Sequence, residues 1–138
     1  MPVSNASKLA LMKGEIDFDN DVFKIILMNN SFVFNIDSHD SHALIAANAL
    51  SSGNGYDAAT LSAIGTTDRD DVNDYSEADF NDVLWTATGG SIGPANGAII
   101  YDDSHASKVV LGYVDFGTAQ TATDGGAFKI ANIKIRTS

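Results

Sequence analysis

Between Val22 and Met28 the chain reads VFKIILM. In an extended segment, Phe23, Ile25 and Leu27 fall on one side, and Val22, Ile26 and Met28 on the other. Only Lys24 interrupts. A strand of this kind is dry on both faces and needs a layer against each. The run from Val109 to Phe116 has the same character: Val109, Leu111 and Tyr113 share one phase, and Val110, Val114 and Phe116 the other. The chain has 138 residues, which fits a single β-rich domain over its whole length. A domain of that size buries roughly two thirds of its unfolded surface. Few strands can be enclosed on both faces by so short a chain. Two covers suggest themselves: a short N-terminal helix and the surface of another protein.

The remaining patterns are mostly strands. Ser4 to Lys13 reads as one helix, with Ser4 or Asn5 as N-cap and Gly14 at the C-terminal turn. Leu9 and Met12 lie on one face of it and Leu11 points away from them. Asp17 to Asp21 is an acidic turn. Phe32, Phe34 and Ile36 alternate within a loop or short strand, and His42 to Leu50 is an Ala-rich helix candidate capped by Asp40 or Ser41. Ala59 to Ile64 and Val83 to Thr88 read as strands. Asp68 to Asp82, with seven of the eighteen acidic residues, reads as a solvated loop with a helical turn at Ser76 to Phe80. Gly89 to Gly97 reads as a connector, and Ala98 to Tyr101 with Lys108 to Phe116 as a hairpin. Gly117 to Gly126 reads as a polar loop. The last strand, Ala127 to Arg136, breaks phase between Ile130 and Ile133; a bulge at Ala131 and Asn132 would bring Phe128, Ile130, Ile133 and Ile135 to one face. The pattern of one or two helices and six or seven strands predicts a mainly β fold: an antiparallel β-sandwich or squashed barrel with a short N-terminal helix.

Composition narrows function. Net charge is −10 and the eight basic residues form no cluster, so nucleic-acid binding is not expected. No apolar run reaches the length of a membrane span, and the N-terminus lacks the apolar region of a signal peptide. The chain has no cysteine, which removes disulfides, thiolate metal sites and thiol catalysis.

Three stretches carry residue types used in chemistry. Asp102, Asp103, Ser104 and His105 place acids, a serine and a histidine together, but sequence neighbours rarely form a nucleophile, a base and an orienting group; these are also favoured turn residues. DSHDSH, Asp37 to His42, falls short of a zinc pattern. Asp68, Asp70, Asp71, Asn73 and Asp74 miss the spacing and the glycine of a calcium loop. The expectation is therefore a protein without catalytic residues, cofactor or metal. Assembly through the double-faced strand is favoured instead, with Leu11, Val22, Ile26 and Met28 as partner-binding residues and the helix covering the strand through Leu9 and Met12.

A run of short segments then acquires meaning. NASKLALMKGEID, FKIILMN, a DSH-containing loop, GYDAATL, VLWTAT, AIIYDD, LGYVDFG and TDGGAFKI follow one another along nearly the whole chain. In this order they resemble small structural proteins of tailed bacteriophages. The resemblance implies a capsid decoration or cement role: a protein made in the host cytoplasm, resident on the virion surface, bound to the major capsid protein and to neighbouring copies of itself. A tail, connector or host-surface binding module is the alternative it implies.

Overall fold

The computed structural model describes residues 1–62 and 68–137. Helix α1 spans Asn5–Met12 and strand β1 Phe23–Asn29, followed by a short helix α2, His42–Ile45, that tightens into a 3-10 turn at Ala46–Asn48. The strands after it are β2 (Ala59–Leu61), β3 (Asp68–Asp70), β4 (Tyr75–Asp79), β5 (Val83–Thr86), β6 (Ile92–Asp102), β7 (Val110–Ala122), β8 (Ala127–Ile130) and β9 (Lys134–Thr137). All pairings between them are antiparallel, in a four-stranded sheet ordered β2-β1-β6-β7, a three-stranded sheet β3-β4-β9 and a two-stranded sheet β5-β8. The expected mainly β, sandwich-like class with a short N-terminal helix is what the chain adopts. The outer part of the expected strand Ala59 to Ile64 lies outside the described residues.

The principal core lies between the four-stranded sheet and the two smaller ones. From the large sheet come Phe23, Ile25, Leu27, Leu61, Ala98, Ile100 and Leu111; opposite them stand Ala78, Val83, Trp85, Phe128, Ile130 and Ile135. Tyr56 reaches in to accept the Leu27 N–H on its hydroxyl at 2.8 Å, and burial pushes its phenol up to about 12. Trp85 donates its indole N–H to the Asp57 carbonyl at 2.8 Å, so both aromatics bury their rings with their polar ends satisfied.

The second face of the large sheet is also dry, and the chain covers it without help. Ile26, Met28, Ile99, Tyr101, Val110 and Tyr113 pack under Phe32 and Ile45, with Phe34, Ala49 and Ala58 at the rim. These covering residues belong to the segment between β1 and β2. It is fastened to β1, beyond the end of β2, and to the start of β7: Leu50 N–H bonds the Leu27 carbonyl at 2.9 Å, His42 N–H the Lys108 carbonyl at 3.0 Å, and Val110 N–H the Asp40 carbonyl at 2.9 Å. The covering layer is therefore a strap of loop and short helix, not the N-terminal helix and not a partner. Ile26 at 5 % and Met28 at 0 % exposure are interior residues, which corrects their assignment as partner-binding.

Other boundaries differ from the sequence pattern for local reasons. Strand β7 carries one extra residue, because Tyr101 pairs with Val110 but Ile100 with Gly112. This bulge exchanges the phases beyond Leu111. Tyr113 joins Val110 under the strap, while Val114 and Phe116 pack toward the principal core. The expected connector Gly89 to Gly97 and polar loop Gly117 to Gly126 are largely strand, paired as Ile92 with Ala122 and Ala95 with Gln120. The expected helical turn at Ser76 to Phe80 is strand β4, its Glu77 and Ala78 paired with Arg136 and Ile135. The last strand is two strands in two sheets, with Asn132 at a φ of 56° in the break. That break does bring Phe128, Ile130, Ile133 and Ile135 into one core.

Adjacent residues on the strap should differ sharply. Ile45 is fully buried, while Leu44 is 57 % exposed. Ile45→Ala is expected to lower the free energy of unfolding by about 2–5 kcal/mol, and Leu44→Ala to change it by less than about 0.5 kcal/mol, as measured by urea titration.

Candidate docking surface

Helix α1 is attached to the edge of β7 through its small residues. Ser4, the N-cap, is buried; its hydroxyl accepts the Ser7 N–H at 3.0 Å and donates to the Val110 carbonyl. Ser7 donates its hydroxyl to the Ser4 carbonyl at 2.9 Å, and Ser4 N–H bonds the Leu111 carbonyl at 2.8 Å. Ahead of the helix, Val3 bridges Gly112, where an added Cβ would stand 2.7 Å from the Pro2 carbonyl oxygen. Glycine is required there for the N-terminal segment to lie so close. Ser4, Ser7 and Ala10 thus form the inner face, and Gly14 ends the helix at a φ of +71°.

The consequence is a helix turned the opposite way from a typical surface helix, whose large apolar side chains face inward. Leu9 is 53 % and Met12 87 % exposed, and Met1, which lines the same groove as Met12, is also open. The expectation that Leu9 and Met12 cover β1 is overturned; the strap occupies that place. Leu11, expected to reach a partner, is half-buried and packs against the principal core. Val22 is exposed but precedes β1, and its backbone is clamped: Val22 N–H bonds the Ser104 hydroxyl at 2.8 Å and its carbonyl takes the Asp103 N–H at 2.8 Å.

Beside α1 runs an open groove of about 650 Å³ lined by Met1, Val3, Lys8, Leu11, Met12, Arg136 and Thr137. Its lining mixes apolar side chains, Met1, Val3, Leu11 and Met12, with polar ones, and its charged lining residues are two cations, a departure in a chain with eighteen acidic and eight basic residues. Arg136 is held in place from the strand beneath. Its Nε donates to Glu77 Oε2 at 2.7 Å, and its guanidinium lies 4.4 Å from the centre of the Tyr75 ring. Glu77 also accepts Lys134 Nζ at 3.0 Å, and the two cations hold its carboxyl below the usual carboxylate range.

The stretches that raised chemical possibilities are occupied by structural bonds. At the tip, Asp102 Oδ1 accepts the Ser104 and His105 amides at 2.9 and 3.1 Å, which is turn capping. The structure groups a different trio from the one the sequence suggested: Ser107 Oγ lies 3.1 Å from His105 Nδ1, and Glu15 Oε2 lies 3.3 Å from His105 Nε2. Glu15 is ninety residues away along the chain, so no local motif signals it. The Ser107 amide also donates to the same Nδ1 at 3.2 Å, so the lone pair a base would use is engaged by the backbone. His39 accepts the Asn35 N–H at 3.0 Å and stacks on Phe32 at 5.1 Å. His42 lies 4.7 Å from the Tyr101 ring, and burial followed by the nearby Lys108 lowers its affinity for a proton. Asp70 accepts the Val72 and Asn73 amides, each at 3.0 Å, and the Asn73 side chain at 2.9 Å, which pulls its carboxyl down to about 2. Among the described residues no group of three or more histidines and carboxylates is placed to hold a metal ion.

Compared with known proteins, the chain matches no family model, no curated protein and no solved structure.

The inverted helix makes a stability prediction opposite to one drawn from hydropathy. Leu11→Ala is expected to cost about 1–3 kcal/mol, as for a partly buried leucine. Leu9→Ala and Met12→Ala should each stay within about 0.5 kcal/mol of the parent. Thermal and urea unfolding of the three variants checks this.

Proposed function

We propose that this protein is a capsid decoration protein of a tailed bacteriophage, bound to the major capsid protein through the outward side of α1. The observation that carries the docking surface is the exposure of Leu9 and Met12 on the outward side of α1, with Met12 on the wall of an open groove. A cluster of large apolar side chains on a helix whose small residues already face the fold supports a surface kept for a partner. The resemblance of the ordered segments to phage structural proteins supplies the partner. The double-faced strand no longer contributes to this reading, because its second face is covered by the strap.

The physical role follows from linkage. A protein that binds the assembled shell and not its dispersed subunits stabilises the shell by mass action at every site it fills. A patch as small as this one binds modestly by itself; copies that also touch one another, or bind adjacent capsid subunits, gain through effective concentration. The acidic remainder of the surface keeps a densely arrayed protein soluble. In this reading the protein performs no catalysis and its contacts are with protein.

Two measurements test the proposal. In purified particles the protein should occur at a copy number comparable with that of the shell subunit; a few copies per particle would place it in the tail or connector instead. In co-sedimentation with undecorated shells, Leu9→Glu and Met12→Glu should each weaken binding by about tenfold or more, the effect of roughly 1.4 kcal/mol, with unchanged melting curves. Undiminished binding by both variants would remove α1 as the docking surface.

A further inference from the structure

Strand β6 ends in a carboxylate where a carboxylate is costly. Asp102 has no exposed surface, and its Oδ2 is buried without a hydrogen-bond donor. Oδ1 is satisfied by the Ser104 and His105 amides, so the deficit belongs to one oxygen. Asp21 stands two residues before Phe23, the register partner of Asp102, and one before Val22, whose carbonyl takes the Asp103 N–H, so a second carboxyl is brought to this end of β6 and acts on that of Asp102. Asp21 is itself anchored, because its Oδ2 accepts the Asp17 N–H at 2.7 Å. Two ionised carboxylates brought together repel, whereas one proton between them turns the contact into a short, charge-assisted hydrogen bond.

We propose that Asp21 and Asp102 share one proton and form an acid-set clasp that fastens the loop between α1 and β1 to the β6–β7 turn. The same two segments are joined by Val22 N–H to Ser104 Oγ and Asp103 N–H to the Val22 carbonyl, each at 2.8 Å. His105 Nε2 and Glu15 Oε2, 3.3 Å apart, add a further contact between these segments. Of the other charges nearby, Asp103 is paired with Lys108 at 2.8 Å and Lys24 at 3.7 Å and Glu15 with Lys13 at 3.9 Å, while Asp17 accepts the neutral Asn20 side chain at 2.7 Å. Asp19 stands on the same loop, and its N–H bonds Asp17 Oδ1 at 2.9 Å. None of these groups supplies a cation to the Asp21–Asp102 contact.

The direction of the pH effect follows from proton counting. Burial first, and then Asp21, push the Asp102 carboxyl up to about 6 from an ordinary value of 3.8. Between these values the folded protein holds a proton that the unfolded chain releases. The clasp therefore gains strength as pH falls through about 6 and loses it as pH rises. His42 acts with the opposite sign, since burial disfavours its charged form and acidification there costs stability. Comparing the parent with a variant altered only at the clasp cancels that contribution.

The test is urea unfolding of the full chain across that range, for the parent, Asp102→Asn and Asp21→Asn. An Asn at either position replaces the shared proton with a permanent N–H donor. Relative to Asp102→Asn, the folding equilibrium constant of the parent should rise roughly tenfold from about pH 7 to about pH 5, as one proton taken up near pH 6 requires. Asp21→Asn should flatten the same dependence, and it carries the test if Asp102→Asn does not fold. Equal pH dependence in parent and Asp21→Asn would overturn the shared proton and leave burial alone as the cause. A rise in melting temperature with added calcium at neutral pH, lost in Asp102→Asn, would overturn it also, because the pair would then be holding a cation.

Discussion

The hydrogen-bonded pair of β1 and β6 lies in the middle of a sheet that is dry on both sides, and every other element is placed by the need to cover it. Below, the two small sheets supply Trp85, Phe128, Ile130 and Ile135. Above, the strap supplies Phe32 and Ile45. Each fully buried side chain of this size contributes about 1.5–3 kcal/mol through removal from water, so neither layer is dispensable. The strap has little regular structure, and it is held by backbone hydrogen bonds to β1 and to the start of β7. Those bonds let an irregular segment serve as a layer: its polar groups near the sheet are paired while Phe32 and Ile45 point inward.

Once the strap occupies the second face, the N-terminal helix has no sheet face left to cover. It attaches at the edge of β7 instead. An edge offers backbone carbonyls and a close approach at Gly112, not a broad apolar surface. Small residues with hydroxyls suit that contact, and Ser4 and Ser7 use it. Leu9 and Met12 of α1 are then left outside, Met12 beside a groove walled by Arg136. The proposed docking surface is in this sense a consequence of how the central sheet is closed.

Strand β1, the apolar parts of β6 and β7 and the α1 boundaries were legible because they rest on local pattern: alternation at Phe23 to Met28, the Ser4 cap, the glycine at 14; β3, β4 and the polar halves of β6 and β7 were not, because their pairing partners are distant in sequence. The common burial of Phe128, Ile130, Ile133 and Ile135 was legible as well, from the phase break between them. What was not legible depends on contacts distant in sequence. The helical face containing Leu9 and Met12 looks like the buried face by hydropathy, and only its attachment to a strand edge reverses that. The strap looks like a loop because Asn and Ser flank its aromatics, yet bonds to Leu27, Lys108 and Val110 make it a layer. The bulge at Leu111 is invisible in a run of apolar residues, where either phase is equally hydrophobic. Asp102 reads as one acid of a polar turn; its burial comes from the strand it ends and the loop that closes over it.

The distinction between a self-covered sheet and one that waits for a partner can be read from the methionines. The chain has three; Met12 is 87 % exposed, Met1 is open, and Met28 has no exposed surface beneath the strap. Limited oxidation of the isolated protein by peroxide, followed by peptide mass spectrometry, reports which thioethers meet solvent. Rapid sulfoxide formation is expected at Met12 and Met1, with Met28 spared until the protein unfolds. Oxidation of Met28 at a rate comparable with that of Met12 would contradict it, because the second face of the sheet would then be open in the free protein.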